Sequence, residues 1–407
     1  MYATGLKCLD CGAAYPTTEK SPTCSKCQGL FEIEYDHDEM RKNFQKSELK
    51  ASRTQGVWRY GKALPVRKEF KVTLEEGSTP LVETSNVVPG IRLFAKLDYV
   101  MPTSSFKDRG ATVIVSKARE LGVTSLAIDS SGNAAASLAA YASKAGIKCY
   151  AFVPSYTDTR KIVQISAAGA KVIKVKGTRT DTHEVTEAAY KKFGWYYCGF
   201  MVSPYATAGS KTIAYEVCEQ LEWNPPDWIA LPVGTGSGIL GCYNGLTELA
   251  KLGWINKVPK LICVQPNGCA PIASAQKDGA AEIAPVMTPT TIAEGLSVGS
   301  PAKGRLVLEA LKNTGGLAEV VTDQEILQST QLLASKEGLF VEVSSAASAA
   351  GISKLVKSGV IRCGETVVCI LTGTGLKSHK EYTKFVPEPI EIEPRLESLD
   401  QHLKPLQ

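Results

Sequence analysis

Apolar runs alternate with helix-length amphipathic segments over most of the chain. The runs predict strands near residues 126–129, 148–153, 170–176, 228–233, 260–265 and 366–371. Segments with a helical repeat lie between them, for example at residues 134–145 and 182–193. Repeated alternation of strand and helix predicts an α/β fold with mostly parallel sheets and crossover helices. In such sheets ligands bind at the carboxyl ends of the strands.

The length of the chain predicts more than one domain. With 407 residues and 44% hydrophobic content it can bury a large core. We predict two doubly wound, mostly parallel-sheet domains, the smaller at residues 96–200 and the larger built from residues 39–95 and 201–386. Residues 1–38 form a separate module, and the Pro- and Glu-rich residues 387–407 are a loose extension or a partner-binding arm.

Lys107 lies in the run Ser-Phe-Lys-Asp-Arg-Gly, at the predicted start of a helix. A lysine that condenses with an aldehyde must first be neutral, because only the free amine adds to a carbonyl. The helix N-terminus and Arg109 favour the neutral form, whereas Asp108 opposes them, so the sequence leaves the net pKa open. Alone, the run is typical of a solvated helix start, and three further segments change that interpretation.

A glycine-rich loop lies between a predicted strand and a predicted helix. This order directs backbone N–H groups and a helix N-terminus at an anion, and a phosphate is the natural occupant. A dinucleotide fingerprint is the alternative, but the next strand ends in Gln265 and Pro266 instead of an acidic residue. No Gly-Lys-Ser or Gly-Lys-Thr follows, which excludes a Walker loop. The predicted phosphate-binding residues are Gly234, Thr235, Gly236, Ser237 and Gly238.

Two other predicted strands end in polar side chains. Asn133 can donate its amide to the anionic ring oxygen of pyridoxal phosphate, and its alternative role is a helix N-cap. Thr372 follows a buried strand, and a hydroxyl facing the pyridine nitrogen would leave that nitrogen largely unprotonated. Together with Lys107 and the glycine loop, these residues predict a pyridoxal phosphate pocket.

Over nearly its whole length the chain resembles the threonine synthase family, among the fold-type II, tryptophan synthase β-like pyridoxal phosphate enzymes. The shared motifs are Gly-Ser-Thr-Pro-Leu at 77–81, Ser-Phe-Lys-Asp-Arg-Gly at 105–110, Ser-Gly-Asn at 131–133, Gly-Ser-Lys-Thr at 209–212, Ala-Glu-Gly at 293–295, Val-Glu-Val-Ser-Ser-Ala-Ala at 341–347 and Leu-Thr-Gly-Thr-Gly-Leu-Lys at 371–377. The resemblance implies that Lys107 is the Schiff-base lysine and proton shuttle. It also implies that Phe106 supports the cofactor ring, that Asn133 binds the ring oxygen and that Thr372 faces the ring nitrogen.

The implied reaction is elimination of the γ-phosphate of O-phosphohomoserine, followed by addition of water at the β carbon to give threonine. A second pyridoxal phosphate reaction stays open, namely β-elimination or β-replacement on a serine- or threonine-like amino acid, phosphorylated or not. Outside this chemistry, the alternatives are an NAD(P)-dependent oxidoreductase and a non-catalytic protein that binds through its metal ribbon.

The residues expected to bind the substrate differ from those of the family. Threonine synthases commonly carry a phosphate-binding arginine in a run like Asn-Pro-Tyr-Arg, and the matching position here is Ala206. Losing that partner removes charge-assisted hydrogen bonds unless another cation, such as Lys211, replaces it. Substrate contacts implied by the resemblance alone, each equally compatible with a structural role, are Thr79, Ser131, Tyr205, Lys211, Glu294 and Glu342.

Four cysteines near the amino terminus have the spacing C-x2-C-x12-C-x2-C, and they are Cys8, Cys11, Cys24 and Cys27. Two such pairs of thiolates close a tetrahedral site, which predicts a structural metal ribbon with zinc and leaves rubredoxin-like iron as the alternative. Two disulfides are a poorer interpretation, because the chain has no secretory signal.

Charge and hydropathy restrict the kinds of molecule that the chain is expected to bind. The 46 basic and 41 acidic residues leave a net charge of +5, too small to indicate nucleic-acid binding. No apolar run approaches the roughly 20 residues that span a bilayer, and the amino terminus lacks a signal-peptide core. We therefore expect a cytoplasmic enzyme with a small amino-acid substrate, and a homodimer as the default assembly.

Overall fold

The computed structural model describes residues 1–84, 86–383 and 385–399. The predicted extension at residues 387–407 therefore lies partly outside the described residues. The strands are β1 (Ala3–Cys8), β2 (Ala14–Tyr15), β3 (Phe31–Tyr35), β4 (Leu81–Glu83), β5 (Arg92–Leu97), β6 (Ser125–Asp129), β7 (Lys148–Pro154), β8 (Lys171–Val175), β9 (Tyr196–Tyr197), β10 (Trp228–Pro232), β11 (Lys260–Pro266), β12 (Leu317–Val321) and β13 (Thr366–Leu371).

The α-helices are α1 (His37–Asn43), α2 (Lys46–Ala51), α3 (Lys107–Glu120), α4 (Asn133–Ala145), α5 (Thr159–Ala167), α6 (Arg179–Phe193), α7 (Pro204–Ser210), α8 (Thr212–Gln220), α9 (Ser237–Lys251), α10 (Pro271–Lys277), α11 (Gly304–Thr314), α12 (Asp323–Glu337), α13 (Val343–Lys357) and α14 (His379–Tyr382). Short 3-10 helices cover Val57–Ala63, Lys68–Phe70, Glu294–Leu296 and Gly375–Lys377. Among the described residues, no helix is both long enough and apolar enough to cross a membrane.

The larger sheet has six strands in the order β12-β11-β10-β13-β5-β4. All neighbours are parallel except the edge strand β4, which is antiparallel to β5. Alternate residues of β10 enter two different cores: Ile229 and Leu231 pack with α8, α9 and α11, and Ala230 packs with α12 and α13. Because both faces are covered, these strands are continuously apolar, and this is the pattern that marked them in the sequence.

The smaller sheet has four parallel strands in the order β8-β7-β6-β9. Leu126 and Ile128 of β6 pack in one core with the apolar residues of α3 and α4. The α/β fold with parallel sheets is therefore confirmed. The boundaries of the smaller domain at residues 96 and 200 stay a prediction.

The amino-terminal module is a three-stranded antiparallel sheet with β1 between β2 and β3. Its small core consists of Leu6, Cys8, Cys24 and Phe31. A module with so small an apolar core usually needs a further stabilising element, such as a disulfide or a bound metal.

A fully buried ion network joins β5, α3 and α8. The Arg109 guanidinium donates to both Asp98 carboxylate oxygens at 2.8 Å and to the Glu216 carboxylate at 2.7 and 2.8 Å. Lys96 Nζ donates to Glu216 at 2.7 Å. Burial alone would raise the pKa of Glu216, but the charges of Arg109 and Lys96 hold it well below its usual range. The network therefore fixes the first turn of α3 against the larger sheet.

Substituting Arg109→Met should lower the free energy of unfolding by about 3–5 kcal/mol, because it leaves buried Asp98 without its cation and Glu216 with Lys96 alone. The matched control is Arg92→Met, which breaks an exposed pair with Glu83 and should cost less than about 1 kcal/mol. Urea unfolding followed by circular dichroism measures both, and equal losses for the two variants would contradict the role of the network.

Candidate active site

Lys107 is the first residue of α3, as predicted, and its side chain is half-buried. Its Nζ lies 4.2 Å from the ring centroid of Phe106 and 5.4 Å from that of Phe200. Burial lowers the pKa of Lys107 to about 8, and the carboxylate of Glu342 opposes the shift. Arg109 contributes little because two carboxylates neutralise it. Burial, which the sequence did not reveal, therefore lowers the pKa of Lys107.

The glycine loop connects β10 to α9 beside this lysine. Gly236 has a φ of 90°, a left-handed conformation that glycine adopts without strain, and α9 begins at the next residue, Ser237. A Cβ atom on Gly238 would lie 3.1 Å from the ring of Phe106, so the loop approaches the neighbour of Lys107 closely. The first N–H groups of a helix have no intrahelical acceptor. The loop, with half-buried Thr235 and buried Gly234, thus fits a phosphate next to an amine.

Asn133 begins α4, whereas Gly132 occupies the N-cap position, so the N-cap interpretation of Asn133 is wrong. Its Nδ2 donates to the Glu342 carboxylate at 2.9 Å, and its Oδ1 accepts from Lys377 Nζ at 2.8 Å. The amide therefore lies between a carboxylate and an ammonium group instead of closing its own helix.

Thr372 follows β13 and is buried. Its carbonyl accepts the Phe106 N–H at 2.9 Å, and its own N–H donates to Ser345 Oγ at 2.6 Å. An antiparallel bridge pairs Ser105 with Gly373. The segment after β13 is thereby held against the residues that precede Lys107, and the four sequence-predicted segments meet at one place.

Two lysines near Lys107 were missed by sequence reasoning. Lys303 is buried, and burial together with the charge of Lys107 lowers the pKa of Lys303 to about 7. Lys377 contacts Asn133 and donates to the Thr103 carbonyl at 2.7 Å. Lys377 ends a motif that was recognised without a role for the lysine, whereas no motif contains Lys303, and only the fold reveals its burial.

Two substrate candidates have carboxylate partners. The hydroxyl of Thr79 donates to Asp98 at 2.7 Å inside the buried ion network. Lys211 Nζ pairs with Glu248 at 2.8 Å and lies 4.0 Å from the ring centroid of Tyr35. Both side chains thus have structural partners, and their role in substrate binding stays a prediction.

The other candidates are in more varied surroundings. Ser131 is half-buried in the turn before α4, and Glu294 is exposed in a 3-10 helix. Tyr205 is buried, and its hydroxyl has no hydrogen-bond partner among the described residues. Their substrate contacts, like that of Glu342, stay predictions.

The four amino-terminal cysteines form a compact cluster with every Sγ within 4.8 Å of the others. Cys8 and Cys27 are 3.4 Å apart at sulfur, Cys11 and Cys24 are 3.7 Å apart, and all four thiols are free. Tetrahedral zinc with Zn–S bonds of about 2.3 Å separates its sulfurs by about 3.8 Å. The donor set and its spacing therefore fit a tetrahedral thiophilic metal.

Comparisons with known proteins identify relatives over nearly the full length. A family model described as pyridoxal-phosphate dependent enzyme matches residues 72–373. A threonine synthase of Methanocaldococcus jannaschii is 41% identical over 98% of this chain and 99% of its own. A threonine synthase of Methanosarcina acetivorans is 39% identical over 97% of each chain.

Among solved structures, the chain is similar to the processed form of threonine deaminase isoform 2 from Solanum lycopersicum. The TM-score is 0.66 at 22% identity, covering 75% of this chain and 82% of that one. At this identity the similarity concerns the fold alone, and it agrees with the α/β architecture of one parallel and one mostly parallel sheet.

The rate at which the apoprotein reacts with pyridoxal phosphate should rise with pH and level off above about pH 8, because only the neutral Lys107 amine adds to the aldehyde. An unburied lysine gains reactivity up to about pH 10.4. Stopped-flow absorbance from about pH 6 to about pH 11 measures the profile, with N-acetyl-lysine methyl amide as the reference amine for the titration of the aldehyde itself. A protein profile parallel to the reference would contradict the lowered pKa.

Proposed function

We propose that this chain, which belongs to the pyridoxal-phosphate-dependent enzymes and within them to the threonine synthase family, converts O-phosphohomoserine and water into L-threonine and phosphate. The observation that carries the proposal is the position of Lys107, a half-buried lysine of lowered pKa beside a glycine loop at a helix N-terminus. A nicotinamide-dependent oxidoreductase has no need for such a lysine, and this alternative is weaker.

Pyridoxal phosphate, when bound, supplies an electron sink that acidifies the carbons next to the substrate amine. We assign Lys107 as its covalent partner and residues 234–238 as the cradle of its phosphate. Asn133 would hold the ring oxygen through an amide oriented by Glu342 and Lys377. Thr372, buried beside the backbone of Phe106, would face the ring nitrogen.

Lys107 is also suited to moving protons. An amine with a pKa of about 8 exchanges between its neutral and charged forms near neutral pH. In the neutral form it accepts a proton from the α carbon of the substrate, and in the charged form it returns protons to carbon. The β carbon also loses a proton as the bond between the γ carbon and the phosphate oxygen breaks, and the γ carbon then takes up a proton to become the methyl group. Water adds its hydroxyl group at the β carbon, its other proton goes to the released phosphate, and the α carbon regains its proton. Phe106 and Phe200 limit the access of bulk water to this amine.

One residue keeps a second reaction open. Ala206 occupies the position where the family carries an arginine for the substrate phosphate, and it is fully buried. A changed substrate would favour β-elimination or β-replacement on a serine- or threonine-like amino acid. The two reactions differ in their products, which makes them separable in one assay.

The purified enzyme should release phosphate and threonine in equal amounts from O-phosphohomoserine. Lys107→Ala should lower kcat by at least about 1,000-fold, since it removes both the covalent partner and the proton carrier. The control Lys191→Ala removes an exposed lysine of α6 and should keep the wild-type rate. Phosphate and amino-acid analysis measure both products, and turnover of O-phosphoserine in place of O-phosphohomoserine would transfer the assignment to the second reaction.

We also propose that the cysteine cluster holds zinc, with iron as the alternative. Elemental analysis should find one zinc per chain, and Cys11→Ser should lose most of it because one of four thiolates is removed. Cys363→Ser changes another exposed thiol outside the cluster and should keep the metal. Iron in stoichiometric amount, or equal metal in both variants, would overturn the assignment.

The remaining proposals concern assembly and location. All twelve cysteines have free thiols, which suits a reducing compartment such as the cytoplasm. We propose a homodimer because closed two-fold dimers are the commonest assembly of soluble enzymes. A small amino-acid substrate without nucleic-acid or membrane partners completes the proposal.

A further inference from the structure

Lys303 is a buried lysine whose ammonium group has only neutral partners. Its Nζ lies 2.8 Å from Thr207 Oγ1 and 3.4 Å from Ser237 Oγ. The carbonyls of Ser203 and Phe200 lie at 3.1 and 3.5 Å. Among the residues that the structure describes, none contributes a carboxylate within ion-pair distance of Lys303. Its positive charge is therefore solvated by dipoles alone.

The other buried lysines are arranged differently. Each of them pairs with a glutamate, and the pairs are Lys96 with Glu216 at 2.7 Å, Lys211 with Glu248 at 2.8 Å and Lys117 with Glu120 at 3.4 Å. A buried charge without a counter-charge is costly, and it is offset by an ion pair, by a bound ion or by loss of the proton. Lys303 has no ion pair, so an anion bound beside it would supply the counter-charge that its charged form needs.

The surroundings of Lys303 favour a phosphate group as the anion. Ser237 belongs to the glycine loop, and the positive charge of Lys107 contributes to lowering the pKa of Lys303. Ser203 caps α7 and Thr207 lies in its first turns, so the two contacts flank Ala206 in the sequence. Lys303 therefore reaches, from the start of α11, the helix turn that lacks the family's arginine. Lys211, the replacement expected from the sequence, is already neutralised by Glu248.

We propose that Lys303 is the cation that binds a phosphate group in this site and substitutes for the arginine absent at position 206. The inference rests on the proposed function and adds the residue that recognises the phosphate. Two phosphates share this chemistry: that of pyridoxal phosphate, held by the glycine loop, and that of the substrate. Because Nζ lies between the glycine loop and α7, Lys303 is placed between the expected positions of the two phosphates.

The test uses Lys303→Met, which removes the charge, Lys303→Gln, which keeps hydrogen bonding without charge, and Lys303→Arg, which keeps the charge. Lys117→Met is the matched control, because it removes another buried lysine, one that pairs with Glu120. Three quantities are measured for each protein: affinity of the apoprotein for pyridoxal phosphate, affinity of the holoenzyme for inorganic phosphate by calorimetry, and KM and kcat for O-phosphohomoserine.

The neutral variants should lose about 10- to 100-fold in phosphate affinity, the range of a charge-assisted hydrogen bond, and Lys303→Arg should recover most of it. Weaker binding of inorganic phosphate with a raised KM and unchanged cofactor affinity assigns Lys303 to the substrate phosphate. Weaker cofactor binding alone assigns it to the cofactor phosphate. The proposal is overturned if Lys303→Gln, or Lys303→Met where it folds, matches Lys117→Met in all three quantities.

The calorimetric binding measurements do not require the enzyme to turn over its substrate. A wild-type holoenzyme that binds inorganic phosphate through Lys303 but makes no threonine would therefore contradict the proposed reaction and leave the assignment of Lys303 intact.

Discussion

The buried network of Arg109, Asp98, Glu216 and Lys96 is the constraint on which the site depends. It joins the end of β5 to the first turn of α3 and to α8, with every charge shielded from water. Lys107 lies two residues before Arg109 in the same helix turn, so the network determines the position of Lys107. Because both carboxylates neutralise Arg109, the guanidinium supports the helix without acting as a free charge on Lys107. The pKa of Lys107 is lowered by burial instead.

The charge balance around Lys107 favours an anionic ligand. Three lysines, Lys107, Lys303 and Lys377, lie in this region. Glu342 acts on Lys107 and Lys377, Asp108 acts on Lys377 as well, and the charge of Lys107 acts on Lys303. Burial lowers the pKa of Lys303 and Lys377 as well. A phosphate dianion would offset the excess positive charge and favour the charged forms of Lys303 and Lys377. Binding of a phosphorylated cofactor and of a phosphorylated substrate would thus stabilise the site as well as fill it.

The sequence predicts those parts of the site that depend on local rules. The strands are recognisable because both faces of the large sheet are buried, and the glycine loop because a phosphate cradle needs glycine at a helix start. The four cysteines are recognisable by spacing alone. Tertiary contacts decide the rest: the Asn133 amide binds Glu342, 209 residues away in the chain, instead of capping α4. No local pattern distinguishes Lys303 from an exposed lysine, because its burial depends on α7 and the loop before α9.

We propose that Lys107, and neither of its two neighbouring lysines, holds pyridoxal phosphate. Borohydride reduction of the holoenzyme makes that link permanent, and peptide mass spectrometry then locates the pyridoxyl group. We expect one group per chain, on the peptide that contains Lys107. A pyridoxyl group on Lys303 or Lys377, or a protein that carries none after incubation with the cofactor, would contradict the account.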